Sequence, residues 1–359
     1  MNNNFQTLSN FFENKKVFLT GHTGFKGSWF TIFLNLLGAK ITGYSLKPNY
    51  SLNLFDLANL KLILKKSIIG DIRDYQRLKA SINKSKPDFI VHMAAQPLVR
   101  ESYLNPKYTY DVNTLGTINI LNILNELNYI KSALIITTDK VYLNNNKKKY
   151  YTEDSILGGF DPYSNSKSCS ELAFYSYNQS FFKEKKIFVA TARAGNVIGG
   201  GDFSKDRIIP DYFRSLFGNK KIILRSPKSI RPWQHVIDPL YGYILLLVQL
   251  YKKKKNTNSS FNFGPNKFSN KSVNDVINLI NKDFNNSVKV IKKIKSSKNY
   301  KESKILMLNS EKSKKILNWE TKYDLHNSIK LTSLWFKEFA NNKKNLLKIT
   351  ENQIIDYFN

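Results

Sequence analysis

The run Lys16-Val17-Phe18-Leu19-Thr20-Gly21-His22-Thr23-Gly24-Phe25-Lys26-Gly27-Ser28 constrains this chain more than any other segment. A short apolar stretch meets three glycines and then the apolar-periodic residues Ser28–Leu37. This predicts a strand that turns sharply into a helix. Glycine suits such a turn because the bend is tight, a pyrophosphate must approach the backbone, and the helix packs closely on the sheet. The unpaired N–H groups and positive dipole of the helix N-terminus then favour an anion. Gly21, Gly24 and Gly27, with His22, Thr23 and Phe25 between them, are candidate dinucleotide-binding residues.

The first 200 residues repeat the same alternation. Lys16–Thr20, Lys40–Tyr44, Phe89–Met93, Ala133–Thr137 and Phe188–Ala192 are short, apolar and separated by helix-sized segments. That pattern predicts an α/β fold with a doubly wound parallel sheet of the Rossmann type, covered on both faces. All 16 Gly and all 10 Pro lie at or before Pro265. Beyond it come helical patterns such as Ser272–Phe284 and Leu325–Phe339, joined by Lys/Asn/Ser-rich loops. We therefore expect a dinucleotide-binding domain over 1–194, with segments near 232–264 returning to it. Residues 195–359 are expected to form a smaller, mostly helical substrate-binding region.

The second strand ends Tyr44-Ser45-Leu46-Lys47, where an acidic residue would hold the ribose of NAD. On the residues alone NAD and NADP both stay open, and Lys47 would suit a 2′-phosphate. Asp71-Ile72 follows Ile68-Ile69-Gly70 like the end of a third strand that meets the adenine; Asp71 reads equally well as a turn residue.

Tyr163-Ser164-Asn165-Ser166-Lys167 follows Asp161-Pro162 and should open a helix. Positions i and i+4 share one helical face, so the phenol and the ammonium point the same way. A nearby cation favours phenolate and is expected to pull the tyrosine pKa down toward a usable base. Thr138, after Ile135-Ile136-Thr137, should stand at the C-terminal edge of a strand and orient a substrate alcohol.

The 56 Lys+Arg against 27 Asp+Glu, a formal charge of +29, invite a nucleic-acid reading. Only eight of the 56 are Arg, the residue that makes bidentate phosphate and base contacts. The remaining Lys excess reads as solvated surface, as do the loops Asn144–Lys149 and Lys252–Asn258. Cys169 stands alone, which suits a reducing compartment. The polar first 16 residues do not resemble a signal peptide, and the apolar Leu240–Tyr251 is too short to span a bilayer. A cytoplasmic protein without nucleic-acid or membrane partners is the expectation. No Cys/His/acid cluster at ligand spacing suggests a metal.

The glycine turn, Thr138 and the Tyr163/Lys167 pair together resemble the extended short-chain dehydrogenase/reductases, the NAD-dependent epimerase/dehydratase family. More narrowly, the chain is similar to the CDP-glucose 4,6-dehydratases through several runs. These are Thr20–Trp29, His92-Met93-Ala94-Ala95-Gln96-Pro97-Leu98-Val99-Arg100, Thr138-Asp139-Lys140, Gly158–Ser164, Ala192–Asp202 and Arg231-Pro232-Trp233-Gln234-His235-Val236. The likeness covers about residues 14–340. It implies NAD as cofactor, Ala94 and Ala95 beside it, CDP-glucose as substrate and a homo-oligomer. It also implies roles for Asp139 and Lys140, which an epimerase does not need; on the residues alone the two read alternatively as a surface ion pair in a loop. By this resemblance Tyr163 would take the C4 hydroxyl proton as hydride leaves C4, with Thr138 orienting the oxygen and Lys167 expected to lower the tyrosine pKa. Lys140, as a neutral amine, removes the C5 proton. Asp139, kept protonated, protonates the departing C6 hydroxyl, and hydride returns to C6. Asn196, Arg207 and Arg231 are implied for the sugar and diphosphate; either arginine reads alternatively as a structural ion-pair partner. Arg193 is expected to shape the crevice or to form an ion pair. Two other readings stay open: an epimerase or reductase on the same scaffold, and a catalytically idle NAD-binding regulator with a basic surface.

Overall fold

The computed structural model describes residues 3–359 except 128, 131, 147, 266–268 and 293–302. Seven strands form one parallel sheet: β1 Lys16–Thr20, β2 Lys40–Ser45, β3 Lys66–Ile69, β4 Phe89–His92, β5 Ser132–Ile136, β6 Phe188–Ala194 and β7 Ser260–Phe263. Their order is β7-β6-β5-β4-β1-β2-β3. Every neighbouring pair is parallel. The central strands β4 and β5 are buried at every residue, because helices cover both faces. This is the doubly wound sheet expected from the sequence. The order turns back on itself at β1, between β2 and β4. In such sheets ligands bind outside the C-terminal strand ends at that reversal.

Helix α1 (Phe25–Leu36) follows β1 directly, and α2 (Pro162–Tyr177) carries the Tyr/Lys pair. The apolar stretch after Val236 is neither a loop nor a membrane span. It is the buried helix α3 (Ile237–Tyr251), which leads back to the sheet as β7. No helix among the described residues is long and apolar enough to cross a membrane.

The second region holds the helix Ile208–Phe217 and pairs of very short strands. Ile222–Leu224 pairs with Val290–Lys292, Ile230–Pro232 with Asn270–Ser272, and Tyr150–Tyr151 with Met307–Leu308. Two or three residues are too few to show an alternating pattern, so the sequence reading saw only helices and loops there. The last helices, Leu325–Asn341 and Leu346–Asp356, pack back onto the first region. Phe358 meets Phe33 of α1 and Phe5 edge-on, and the Tyr357 hydroxyl donates to Asp238 Oδ1 at 3.0 Å. Trp319 and Trp335 are buried packing residues.

Candidate active site

A cavity of about 940 Å3 opens along the C-terminal ends of β1, β4, β5 and β6 and is walled on its far side by the second region. Two glycines show why the turn after β1 tolerates nothing larger. Gly21 has φ +78°, and a Cβ there would lie 2.7 Å from the Ala94 nitrogen. A Cβ on Gly27 would lie 2.1 Å from the Gly21 carbonyl oxygen. Gly24 begins α1 without a side-chain cap, and Gly24, Phe25 and Gly27 line the cavity. The first-turn N–H groups are thus left for an anionic ligand.

The other predicted cofactor residues divide. Thr23, Asp71, Ile72, Ala94 and Ala95 line the cavity. His22 does not, which corrects the sequence reading. Its ring lies against Gly43, its Nε2 is 2.8 Å from Ser67 Oγ, and burial lowers its pKa to about 4. Where an acidic residue was missing after β2, Thr23 Oγ1 donates to the Leu46 carbonyl and meets Ser45 Oγ, each at 2.9 Å. The Asp71 carboxylate is engaged by Arg73 Nη2 at 2.6 Å, and that hydrogen bond holds it below its ordinary range.

Helix α2 starts where it does because Asp161 accepts from Ser164 N at 3.0 Å and Pro162 fits the first helical position. Tyr163 and Lys167 therefore face the cavity together, beside Thr138, Asp139 and Lys140 just beyond β5. The expected effect of the lysine on the phenol is not found. Burial raises Tyr163 to about 12, with Thr138 and then Arg207 acting against the rise. The Lys167 ammonium instead donates to the Ile136 carbonyl at 3.1 Å, and burial lowers it to about 8. Desolvation of the phenolate outweighs the cations around it.

Asp139 is the converse case. Burial raises it to about 6 against the pull of Lys140, Thr138, Arg231 and Lys26. Its Oδ1 accepts from the Thr138 hydroxyl at 3.1 Å, whereas Oδ2 is buried with no hydrogen-bond partner among the described residues. Lys26 is a residue that sequence reasoning missed. It lines the cavity with its ammonium 5.8 Å from the Tyr243 ring centroid, and burial, then Arg207, lower it to about 8. A cation in the first turn of a helix runs against the dipole, the one sequence signal that marked it out.

Asn196, Arg207 and Arg231 line the cavity. Arg207 Nη1 donates to Asp202 at 3.2 Å; Arg231 Nη1 donates to the carbonyls of Ile230 and Lys304 at 3.0 and 3.3 Å. Arg193 lies outside it, in a buried ion pair with Glu171 on α2. Among the described residues, no three His, Cys, Asp or Glu side chains are grouped to hold a metal.

The family described as GDP-mannose 4,6 dehydratase matches residues 18–332. A CDP-glucose 4,6-dehydratase of Salmonella typhimurium is 38% identical over 353 residues, covering 97% of each chain. Among solved structures, DesIV, a dTDP-glucose 4,6-dehydratase of Streptomyces venezuelae with NAD and TYD bound, superimposes with TM-score 0.77 at 21% identity, over 91% of this chain and 98% of that one. The epimerase Mth375 of Methanothermobacter thermautotrophicus gives TM-score 0.80 at 21% identity, over 96% and 98%.

Proposed function

The chain belongs to the GDP-mannose 4,6 dehydratase family, and we propose that it is a nucleotide-sugar 4,6-dehydratase that converts CDP-glucose to CDP-4-keto-6-deoxyglucose and water. The observation that carries this reading is Asp139 and Lys140 in the same cavity as Thr138, Tyr163 and Lys167. An epimerase needs no acid at C6; here a buried carboxyl has an unspent oxygen and a raised pKa.

The glycine cradle and uncapped start of α1 fit NAD, held by Gly21, Gly24 and Gly27 with Thr23, Asp71 and Ala94 around it. Bound NAD supplies the acceptor for hydride from C4, its return to C6, and positive charge beside the phenol. Tyr163 takes the C4 hydroxyl proton while Thr138 orients that oxygen. The resulting 4-ketone acidifies C5, and Lys140 removes the C5 proton. Asp139 gives its proton to the C6 oxygen as water leaves, a step that burial favours by keeping the carboxyl's affinity for that proton high. Arg207, Arg231 and Asn196 face the diphosphate.

We also infer a homo-oligomer, because Leu172 and Tyr175 on α2, and Leu104 on the adjoining helix Val99–Leu104, are apolar side chains left exposed. The lone, half-buried Cys169 suits a reducing cytoplasm.

Incubation with CDP-, dTDP-, GDP- and UDP-glucose, followed by mass spectrometry for loss of water, tests the assignment. CDP-glucose should be converted first, and preferential turnover of dTDP-glucose would overturn the substrate.

A further inference from the structure

The strand Ile222–Leu224 buries its two outer residues and leaves Ile223 48% exposed. Ile223 lines the cavity, and so does Arg225 two residues on. Arg225 follows directly where the strand ends and the chain bends, and both side chains meet the same cavity. The cavity wall thus offers an apolar face with a guanidinium beside it. Arg225 Nη1 donates to Asp206 Oδ1 at 2.7 Å, and the same oxygen accepts from Arg100 Nη1 at 2.9 Å. Arg100 comes from the first region, on the helix Val99–Leu104, so Asp206 fixes Arg225 against the opposite side of the cavity. The other N–H groups of Arg225 have no hydrogen-bond partner among the described residues.

A nucleotide sugar with its hexose at Tyr163 and its diphosphate at Arg207 carries its base outward, toward the wall built by the second region. We propose that Ile223 and Arg225 are the base-reading end of the site, and that Arg225 selects cytosine. This rests on the nucleotide-sugar reading and adds what that reading drew from likeness alone. A guanidinium offers two parallel donors. Cytosine answers with adjacent acceptors, O2 and N3. Uracil and thymine carry N3–H there, so a donor faces a donor and a buried polar group loses its partner. Ile223 packs on the flat ring and is indifferent to which base it is. Guanine also has two adjacent acceptors, O6 and N7, which makes it the sharper control.

Calorimetric titration of the full chain with CDP, UDP, dTDP and GDP tests this without turnover. CDP should bind about ten- to a hundredfold tighter than UDP or dTDP, the range of one bidentate contact. Arg225→Met should weaken CDP by a similar factor and leave UDP within about twofold, collapsing the preference. Asp206→Asn should weaken CDP more than UDP; Ile223→Ala should weaken all four alike. Circular dichroism of each variant checks the fold. Equal weakening of CDP and UDP by Arg225→Met, or no base preference in the unaltered protein, would overturn the proposal. So would GDP that binds the unaltered protein yet escapes the effect of Arg225→Met, since guanine presents the same pair of acceptors. Failure of every nucleoside diphosphate to bind would instead remove the nucleotide-sugar reading itself.

Discussion

Two stretches of helix α2, one turn apart, treat their ionisable groups in opposite ways. Tyr163, Lys167 and Glu171 fall at intervals of four on one face. Toward the helix start, the phenol is driven up to about 12 and the amine down to about 8, and neighbouring Asp139 keeps one oxygen without a partner among the described residues. At Glu171 every demand is met. Its oxygens accept from Arg193 Nε and Nη2 at 2.9 and 2.8 Å, Thr191 Oγ1 at 2.7 Å, Ser260 Oγ at 3.0 Å and the Thr137 hydroxyl. Burial pushes Glu171 up, yet Arg193 and the hydroxyls pull it below its ordinary range. Arg193 also reaches the Tyr142 hydroxyl and the Glu153 carbonyl, tying β6 to the loops beyond β5. One set is spent on structure. The other is kept unspent for a substrate, at a cost in stability.

The contrast can be broken from either side. Glu171→Ala should destabilise most, by about 3–5 kcal/mol in denaturant unfolding, because it leaves Arg193 charged and buried without its partner. If it unfolds no more easily than the unaltered protein, the pair is not the anchor described. Lys140→Ala should leave the melting temperature within a degree or two and abolish water loss, with a fall of about 10²–10⁴ in kcat. An unchanged dehydration rate would remove Lys140 from the chemistry. Asp139→Asn should show the cost of keeping a carboxyl ready. Its folded pKa, about 6, lies above the unfolded 3.8, so stability falls as pH rises from about 4 to 6 and stays low above. The variant should match the unaltered protein near pH 4 and exceed it by up to about 3 kcal/mol at pH 8, while losing activity. A stability difference that does not change with pH would contradict the assignment.

Most of what repeats along the chain was legible in the sequence. β1 is bounded by the residues its apolar run predicts, and the glycine turn and the Tyr163/Lys167 spacing are local patterns that need no partner to be seen. What failed depends on burial or on distant segments. The direction of the Tyr163 shift is set by desolvation, and desolvation has no signature in the order of residues. His22 lies in the cofactor motif but is claimed by Ser67 and Gly43, from β3 and β2. Glu171 drew no notice because its partners come from β6, from β7 and from Thr137 just beyond β5. The Arg100–Asp206–Arg225 bridge likewise joins residues far apart in the chain.

The contact of Phe358 with Phe33 and Phe5 has a consequence for how the protein reaches this state. The helix that offers its N-terminus to the cofactor has its outer face covered by residues from the far end of the chain. Contacts of such long sequence separation close late and slowly, because loop entropy must be overcome before they stabilise anything. The outer face of the helix behind the cofactor cradle is therefore expected to be covered late in folding. Adding NAD during refolding should reward the late docking of residues 346–358 rather than the early assembly of the sheet.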